Sequence, residues 1–354
     1  MACRGTVDQR ALTARAIPYR ERRDMKAISI AEFGGPEVCR LVDADEPGPA
    51  AGEVTVRLAY AGVNFIDIYM RNGTYARSHT YQTPLPMTIG MEGAGTVTAL
   101  GQGVTEHAIG DRVGFCLVRG SYAQSVNVPA WKAVPIPAHV AFPVAAALML
   151  QGSTAHYLSH SAFPLGPAHT CLIHAGAGGV GQLLIQLAKS RGARVIATVG
   201  NEDKAVQARK CGADHAVLYR QTDFREEVMR HTDGRGVDVV YDSVGRDTIH
   251  RSIRSLRKRG MCILFGASSG VVPSIEPIEL AEAGSVYFTR PHLADYMRDA
   301  NEIRSRSHDL FALVTNGGLR VSIDREFALA EACEAHVYLE AGRSRGKLLL
   351  RAEG

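Results

Sequence analysis

This chain of 354 residues has no closely spaced cysteines: Cys3, Cys39, Cys116, Cys171, Cys211, Cys262 and Cys333 are scattered and odd in number. That excludes a disulfide framework and a four-cysteine metal cluster, and it suggests reduced thiols in a cytosolic protein. No apolar run approaches the ~20 residues of a membrane-spanning helix. No strong charge of either sign is present. The formal net charge is +4 and dispersed, which gives no footing for nucleic acid or a membrane surface. There is no internal repeat and no low-complexity stretch. What remains is 46% apolar and 21% charged content, the balance of a soluble globular protein, in a length that suits two domains.

The most informative stretch is Thr170-Cys171-Leu172-Ile173-His174-Ala175-Gly176-Ala177-Gly178-Gly179-Val180-Gly181. A short apolar run ends in a glycine turn, and an amphipathic segment follows from Leu183 to Arg191. Gly176, Gly178 and Gly181 fit G-x-G-x-x-G between a strand and a helix. Such glycines serve a sharp turn, close approach to a diphosphate, and helix-on-strand packing. The helix start then offers unpaired N–H groups to phosphate. The next apolar run, Ala193 to Val199, ends in Gly200-Asn201 where NAD-binding folds carry an acid for the ribose hydroxyl. The missing carboxylate and the nearby Lys204 favour NADPH. Glu202 or Asp203 in the NAD role, with Lys204 a solvated helix residue, is the alternative.

Residues 25 to about 130 read as a β-rich domain, with strands at Val54–Ala59, Gly93–Ala99, Asp111–Cys116 and Tyr122–Val126. A helical pattern runs from Ala141 to Leu158. Strands then alternate with helices: Ala216–Tyr219, helix Phe224–His231, Val237–Tyr241, helix Ile249–Leu256, Met261–Phe265 and Ser285–Thr289. Six strands with intervening helices predict an α/β doubly wound parallel sheet. A helix near Glu302–Val314 and strands at Val321–Ile323 and Lys347–Arg351 close the chain. The first 24 residues are arginine-rich and without apolar period. They read as a disordered extension, since Asp8, Glu21 and Asp24 argue against a transit peptide.

The order of blocks from Met25 onward resembles the zinc-independent quinone oxidoreductases of the medium-chain dehydrogenase/reductase superfamily. The resemblance is carried by Gly34-Gly35-Pro36-Glu37-Val38, Gly62-Val63-Asn64-Phe65-Ile66-Asp67-Ile68-Tyr69, Gln151-Gly152-Ser153-Thr154-Ala155, the glycine turn, Tyr241-Asp242-Ser243-Val244-Gly245-Arg246-Asp247-Thr248, Phe265-Gly266-Ala267-Ser268-Ser269-Gly270 and Thr289-Arg290-Pro291. It implies a GroES-like catalytic domain over 25–150 and 292–354, a Rossmann NADPH-binding domain over 151–291, and NADPH-dependent quinone reduction. It also implies that Asn64, Asp67 and Tyr69 lie by the nicotinamide. Cofactor contacts are implied at Tyr157, Gly176, Gly178, Gly179, Val180, Gly181, Gly200, Asn201, Lys204, Tyr219, Val244, Phe265, Gly266, Ser268, Pro291 and Leu293. On their chemistry alone, Asn64 also suits a helix cap and Tyr69 a core position, and Asp67 suits a structural role.

Zinc-dependent relatives use a Gly-His-Glu turn, and here the matching turn is Gly90-Met91-Glu92-Gly93, with a thioether in place of the imidazole. His156 and His160 read as ordinary helix residues, so no metal is expected. Hydride transfer then rests on positioning and hydrogen bonds, which suits an already electron-poor quinone. The alternatives are an NADPH-dependent enoyl or enone reductase, and a non-enzymatic nucleotide- or RNA-binding protein. The run Arg251, Arg254, Arg257, Lys258 and Arg259 suggests one basic helix face, read as solvated because no aromatics interleave it. The last strand of the nucleotide sheet reads as an edge able to pair with a second copy in a homodimer.

Overall fold

The computed structural model describes residues 24–352. The expected extension lies outside the described residues, except for Asp24, which opens the first strand, Asp24–Ile30. The alternating strands and helices from Thr170 to Thr289 form a six-stranded parallel sheet. Numbered in chain order, its strands are Thr170–Ile173, Arg194–Val199, His215–Leu218, Val237–Asp242, Leu256–Leu264 and Tyr287–Thr289. Their spatial order is 3-2-1-4-5-6, the doubly wound arrangement the sequence predicts. The inner strands are buried along most of their length, as parallel strands covered on both faces must be.

The β-rich part is a second, largely antiparallel sheet built on the long strand Glu53–Val63. Glu92–Leu100 and Ser125–Pro129 pair with it antiparallel. So does Lys347–Arg351, which brings the end of the chain back to its beginning. The helix Phe142–Tyr157 packs on the antiparallel sheet and against Gly179–Ser190, the helix that follows the first strand of the parallel one. Its sequence is apolar nearly all round, and Ala145–Met149 and Gly152–Tyr157 are buried accordingly.

One expectation is corrected. The helix predicted to reach Leu256 stops at Ile253, and the fifth strand begins at Leu256 rather than Met261. The pairing jumps from Val237–Leu256 to Val239–Met261, so Arg257 to Gly260 loop out of the ladder, with Arg259 at φ +58°. The basic residues therefore share no helix face. Arg251 pairs with Asp223, Arg254 with Glu279 and Arg257 with Asp238. That removes the geometric basis for a nucleic-acid surface there.

Asp238 deserves its burial. Its carboxylate accepts the Thr170 N–H at 2.8 Å and takes Arg235 and Arg257, tying the starts of strands one, four and five. Those partners hold its pKa below the usual carboxylate value, against burial that pushes it up. We expect Asp238→Ala to lose about 2 kcal/mol, the scale of a charge-assisted hydrogen bond plus a stranded amide. The urea midpoint reads this directly.

Candidate active site

The glycine turn divides its labour differently from the simple expectation. The left-handed residue is Ala175, at φ +51°. Gly176 packs against the second strand, where a Cβ would lie 2.7 Å from that of Ala197. Gly181 lets the helix close on the turn, since a Cβ there would sit 2.3 Å from the Ala175 carbonyl oxygen. Gly178 caps the helix Gly179–Ser190. The first-turn amides of Gly179, Val180 and Gly181 have no intrahelical acceptor, and these residues line the main cleft together with Gly178. Gly176 lies behind that surface.

At the far end of the same sheet edge, Asn201 caps the helix Glu202–Lys210 by accepting the Lys204 N–H at 3.0 Å. The Lys204 ammonium is half-buried and donates to the Gly342 carbonyl at 2.6 Å. Burial pushes its pKa down, opposed by Asp324, and Arg220 and Arg345 add like charge. Tyr219, about half exposed, stands beside Gly200, and the Arg220 guanidinium lies 6.0 Å from its ring centre. Glu202 is paired with Arg209 and Asp203 with Arg345. The two acids that could have served a ribose hydroxyl are thus engaged on the surface, and what remains is a cluster of cations.

The floor of the cleft is a buried polar network. Asn64 ends the strand Glu53–Val63 and precedes the helix Phe65–Arg71. Its Oδ1 accepts Lys347 Nζ at 2.7 Å and Gln151 Nε2 at 3.2 Å. Its Nδ2 donates to Glu92 Oε2 at 2.8 Å and to the Gly62 carbonyl at 3.3 Å. All four hydrogen-bonding positions of the amide are taken. Lys347 also donates to Glu92 Oε2, whose other oxygen accepts the Leu150 N–H. Lys347 and Glu92 are both buried. Gln151 Oε1, by contrast, is buried without a partner.

Asp67 does not face the cleft. It is fully buried beneath Asn64, and its Oδ2 accepts the Asn64 N–H at 2.8 Å and the Tyr122 hydroxyl at 3.1 Å. The direction of the chain behind it is fixed by chemistry. Arg71 Nη1 can only donate, so His336 Nδ1 accepts it at 3.0 Å. His336 Nε2–H then donates to Tyr122, and Tyr122 donates to Asp67. Burial, then Arg71, holds His336 near 3, so the ring is neutral as this arrangement requires.

Tyr69 comes from the same short helix and does face the cleft. Its oxygen accepts the Ala267 N–H at 2.9 Å, which leaves its own proton to donate. Burial pushes its pKa up to about 12, so it stays protonated. An aromatic wall continues from it: Tyr75 at 5.4 Å, then Tyr81 at 5.3 Å, then His292 at 5.2 Å between ring centres. Tyr157, Phe265, Gly266, Ser268, Pro291 and Leu293 line the cleft as well. Val244 stands beside it, its amide held by Asp242. Sequence reasoning did not single out Glu92, Lys347, Tyr75, Tyr81 and Arg220 as candidate site residues. Lys347 carried a signal, a lone cation heading the apolar run Leu348-Leu349-Leu350. Tyr75 and Tyr81 sit in an irregular loop and carried none.

Comparison with known proteins places this arrangement. The alcohol dehydrogenase GroES-like domain matches residues 50–138, and the zinc-binding dehydrogenase domain matches residues 179–304. Quinone oxidoreductase 1 of Escherichia coli is 39% identical over 326 residues, 91% of this chain and 98% of its own length. The chain belongs to the quinone oxidoreductase family of medium-chain dehydrogenases/reductases. A family relative, the 2-haloacrylate reductase of a Burkholderia species, is 41% identical over 330 residues, 92% of this chain and 98% of its own. The crystal structure of the E. coli quinone oxidoreductase complexed with NADPH matches with a TM-score of 0.89 at 39% identity, covering 92% of this chain and 99% of that one. Among the described residues of this family member, no three His, Cys, Asp or Glu side chains gather as a metal site. His156 and His160 stack at 4.1 Å, with Arg306 and Asp309 on His156.

Two outcomes follow from the floor. Lys347→Met leaves the Glu92 carboxylate buried without its cation and should cost about 3–5 kcal/mol in urea unfolding. Adding Glu92→Gln should recover most of that loss, because the stranded charge is gone and the acceptor for Leu150 is kept. Asp67 is raised to about 7 from 3.8, by burial against the hydrogen bond from Asn64. The folded state therefore binds its proton more tightly than the unfolded chain, so this group's contribution to stability falls as pH rises from about 4 to about 7. Asp67→Asn should flatten that fall in a series of urea midpoints across the same range.

Proposed function

We propose that the chain binds NADPH in the cleft between its two sheets and reduces quinones by hydride transfer without a metal. The observation that carries this reading is the cleft itself, which joins a row of free helix-start amides to an aromatic wall and a fixed polar floor. The chain's residues fit the cofactor. Gly179, Val180 and Gly181 would hold the diphosphate on main-chain amides. Lys204, Tyr219 and Arg220 would hold the 2′-phosphate, which needs cations and a hydroxyl where NAD needs an acid. The unpartnered Gln151 Oε1 takes a donor from the ligand. When bound, the reduced nicotinamide supplies the hydride.

The remaining work falls to the protein. Tyr69 donates a hydrogen bond from its free O–H to the oxygen that gains charge, with the hydroxyl held in place by the Ala267 amide. Asn64, bonded on all sides, keeps its position rather than following the ligand. Tyr75 and Tyr81 offer flat apolar faces to a planar acceptor. Support for metal-free chemistry comes from Glu92. In this chain its carboxylate is already neutralised by Lys347, and the neighbouring residue is the poor zinc ligand Met91.

A homodimer is part of the proposal. Tyr287–Thr289 is the outer strand of the parallel sheet, and Tyr287 on it and Ile278 on the preceding helix are both about 60% exposed. An open edge with apolar neighbours suits pairing with a second copy. The dispersed charge and the free cysteines among the described residues support a cytoplasmic setting.

The deciding experiment is coenzyme oxidation against a benzoquinone, a naphthoquinone and an enone. We expect rapid NADPH oxidation with both quinones and slower turnover of the enone; the reverse ranking overturns the reading. Lys204→Ala and Arg220→Ala should each raise the KM for NADPH about tenfold, the loss of one charge-assisted contact. The KM for NADH should stay within twofold.

A further inference from the structure

A second chamber of about 550 Å³ adjoins the cleft. Tyr69, Tyr75, Gly266, Arg290 and His292 line both spaces, and at Gly266 the shared border has no side chain. The far wall is apolar: Val271, Val272, Ile275, Leu280 and Phe288. Thr74 and Ser274 are its only other polar side chains. Val271 is 58% exposed, so this apolar surface faces water unless something lies on it.

We propose that this chamber is a subsite for the hydrocarbon side chain of the electron acceptor, so that the protein favours alkyl- or prenyl-substituted quinones over bare ones. The inference rests on the quinone reading above and adds the substrate class. Position supports it. A quinone ring held against Tyr69 and Tyr75 in the cleft borders the chamber directly, so a substituent on that ring need not cross bulk water to enter it. Chemistry supports it as well. The border shared with the cleft carries the polar groups Tyr69, Arg290 and His292, which suits a carbonyl-bearing head. Beyond it, Thr74 and Ser274 apart, the lining is aliphatic and aromatic, which suits a tail.

The test uses the intact protein with a dimethoxy-methyl-benzoquinone lacking a side chain and its pentyl and decyl homologues, at saturating NADPH. Each methylene that enters the chamber should lower KM about fourfold, the equivalent of about 0.8 kcal/mol per buried CH₂. The gain should level off once the chamber is full, with kcat little changed. Val271→Asp and Val272→Asp should each remove the dependence on chain length and leave kinetics with the chainless quinone unchanged. Equal KM values across the series in the native protein would refute the subsite. So would a dependence that survives in both variants, because greasier quinones would then be binding elsewhere. If the chainless quinone drives no NADPH oxidation at all, the quinone reading fails instead.

Discussion

The arrangement of the cleft depends on the buried contact between Lys347 and Glu92. It joins segments far apart in the chain: the end of the long strand at Asn64, the strand that begins at Glu92, the last strand at Lys347, and the bridging helix through Leu150 and Gln151. An ion pair out of contact with water is tolerable only when its remaining donors and acceptors are matched. Here Asn64 and the Leu150 amide do the matching. The pair therefore acts as a lock on relative position. The helix that carries Tyr69 starts at the residue this lock immobilises, so the hydroxyl's placement is inherited from a contact it does not itself make.

A second lock stands on the other side of the cleft. His174 at the end of the first parallel strand bonds Thr198 and Ser252, each at 2.9 Å. Ser252 in turn donates to the buried Asp242, which also accepts the amides of Val244 and Gly245. The carboxyl ends of strands one, two and four are tied at the level where the glycine turn leaves the sheet. Both walls of the cleft are thus held by buried polar groups, and aromatic and glycine surfaces line the space between them. A side chain that is fully bonded to its own protein costs no reorganisation when a ligand arrives, which is the physical content of preorganisation.

Much of this was legible in the sequence because it is written locally. The glycine turn lies within a dozen residues, and the parallel strands are short apolar runs with clear breaks. The fifth strand was misjudged because its charged residues, Arg257 to Gly260, leave the ladder, and a looped-out segment breaks the period that a reader follows. Asn64 and Tyr69, which both line the cleft, were singled out through the resemblance of the block around them. Their partners were not, since Glu92 and Lys347 are separated by 255 residues and meet only after the last strand has returned. The resemblance grouped Asp67 with them while its chemistry suited a structural role, and helical geometry turns it away from Tyr69 and into the core. The left-handed Ala175 was missed for another reason: glycine is the residue expected there, and the strain at alanine appears only once the backbone is seen.

The division of labour in the cleft bears on how one scaffold serves relatives named for such different acceptors as quinones and 2-haloacrylate. On the function proposed above, cofactor recognition rests largely on main-chain amides and on glycines such as Gly181 and Gly266, whose Cβ atoms would collide with backbone, features that a single side-chain change elsewhere does not disturb. On the same proposal, acceptor recognition falls to side chains that line the cleft from an irregular loop, Tyr75 and Tyr81, and from the crossing segment at Arg290 and His292. These residues sit outside the two buried locks. Apart from Tyr81, whose hydroxyl accepts the Ala294 amide, they can be exchanged without stranding a charge or an amide, so the stability cost of altering them is small beside that of altering the floor. Substitutions that retarget the acceptor should therefore concentrate in the wall, while the chemistry of hydride delivery stays with the backbone and the floor.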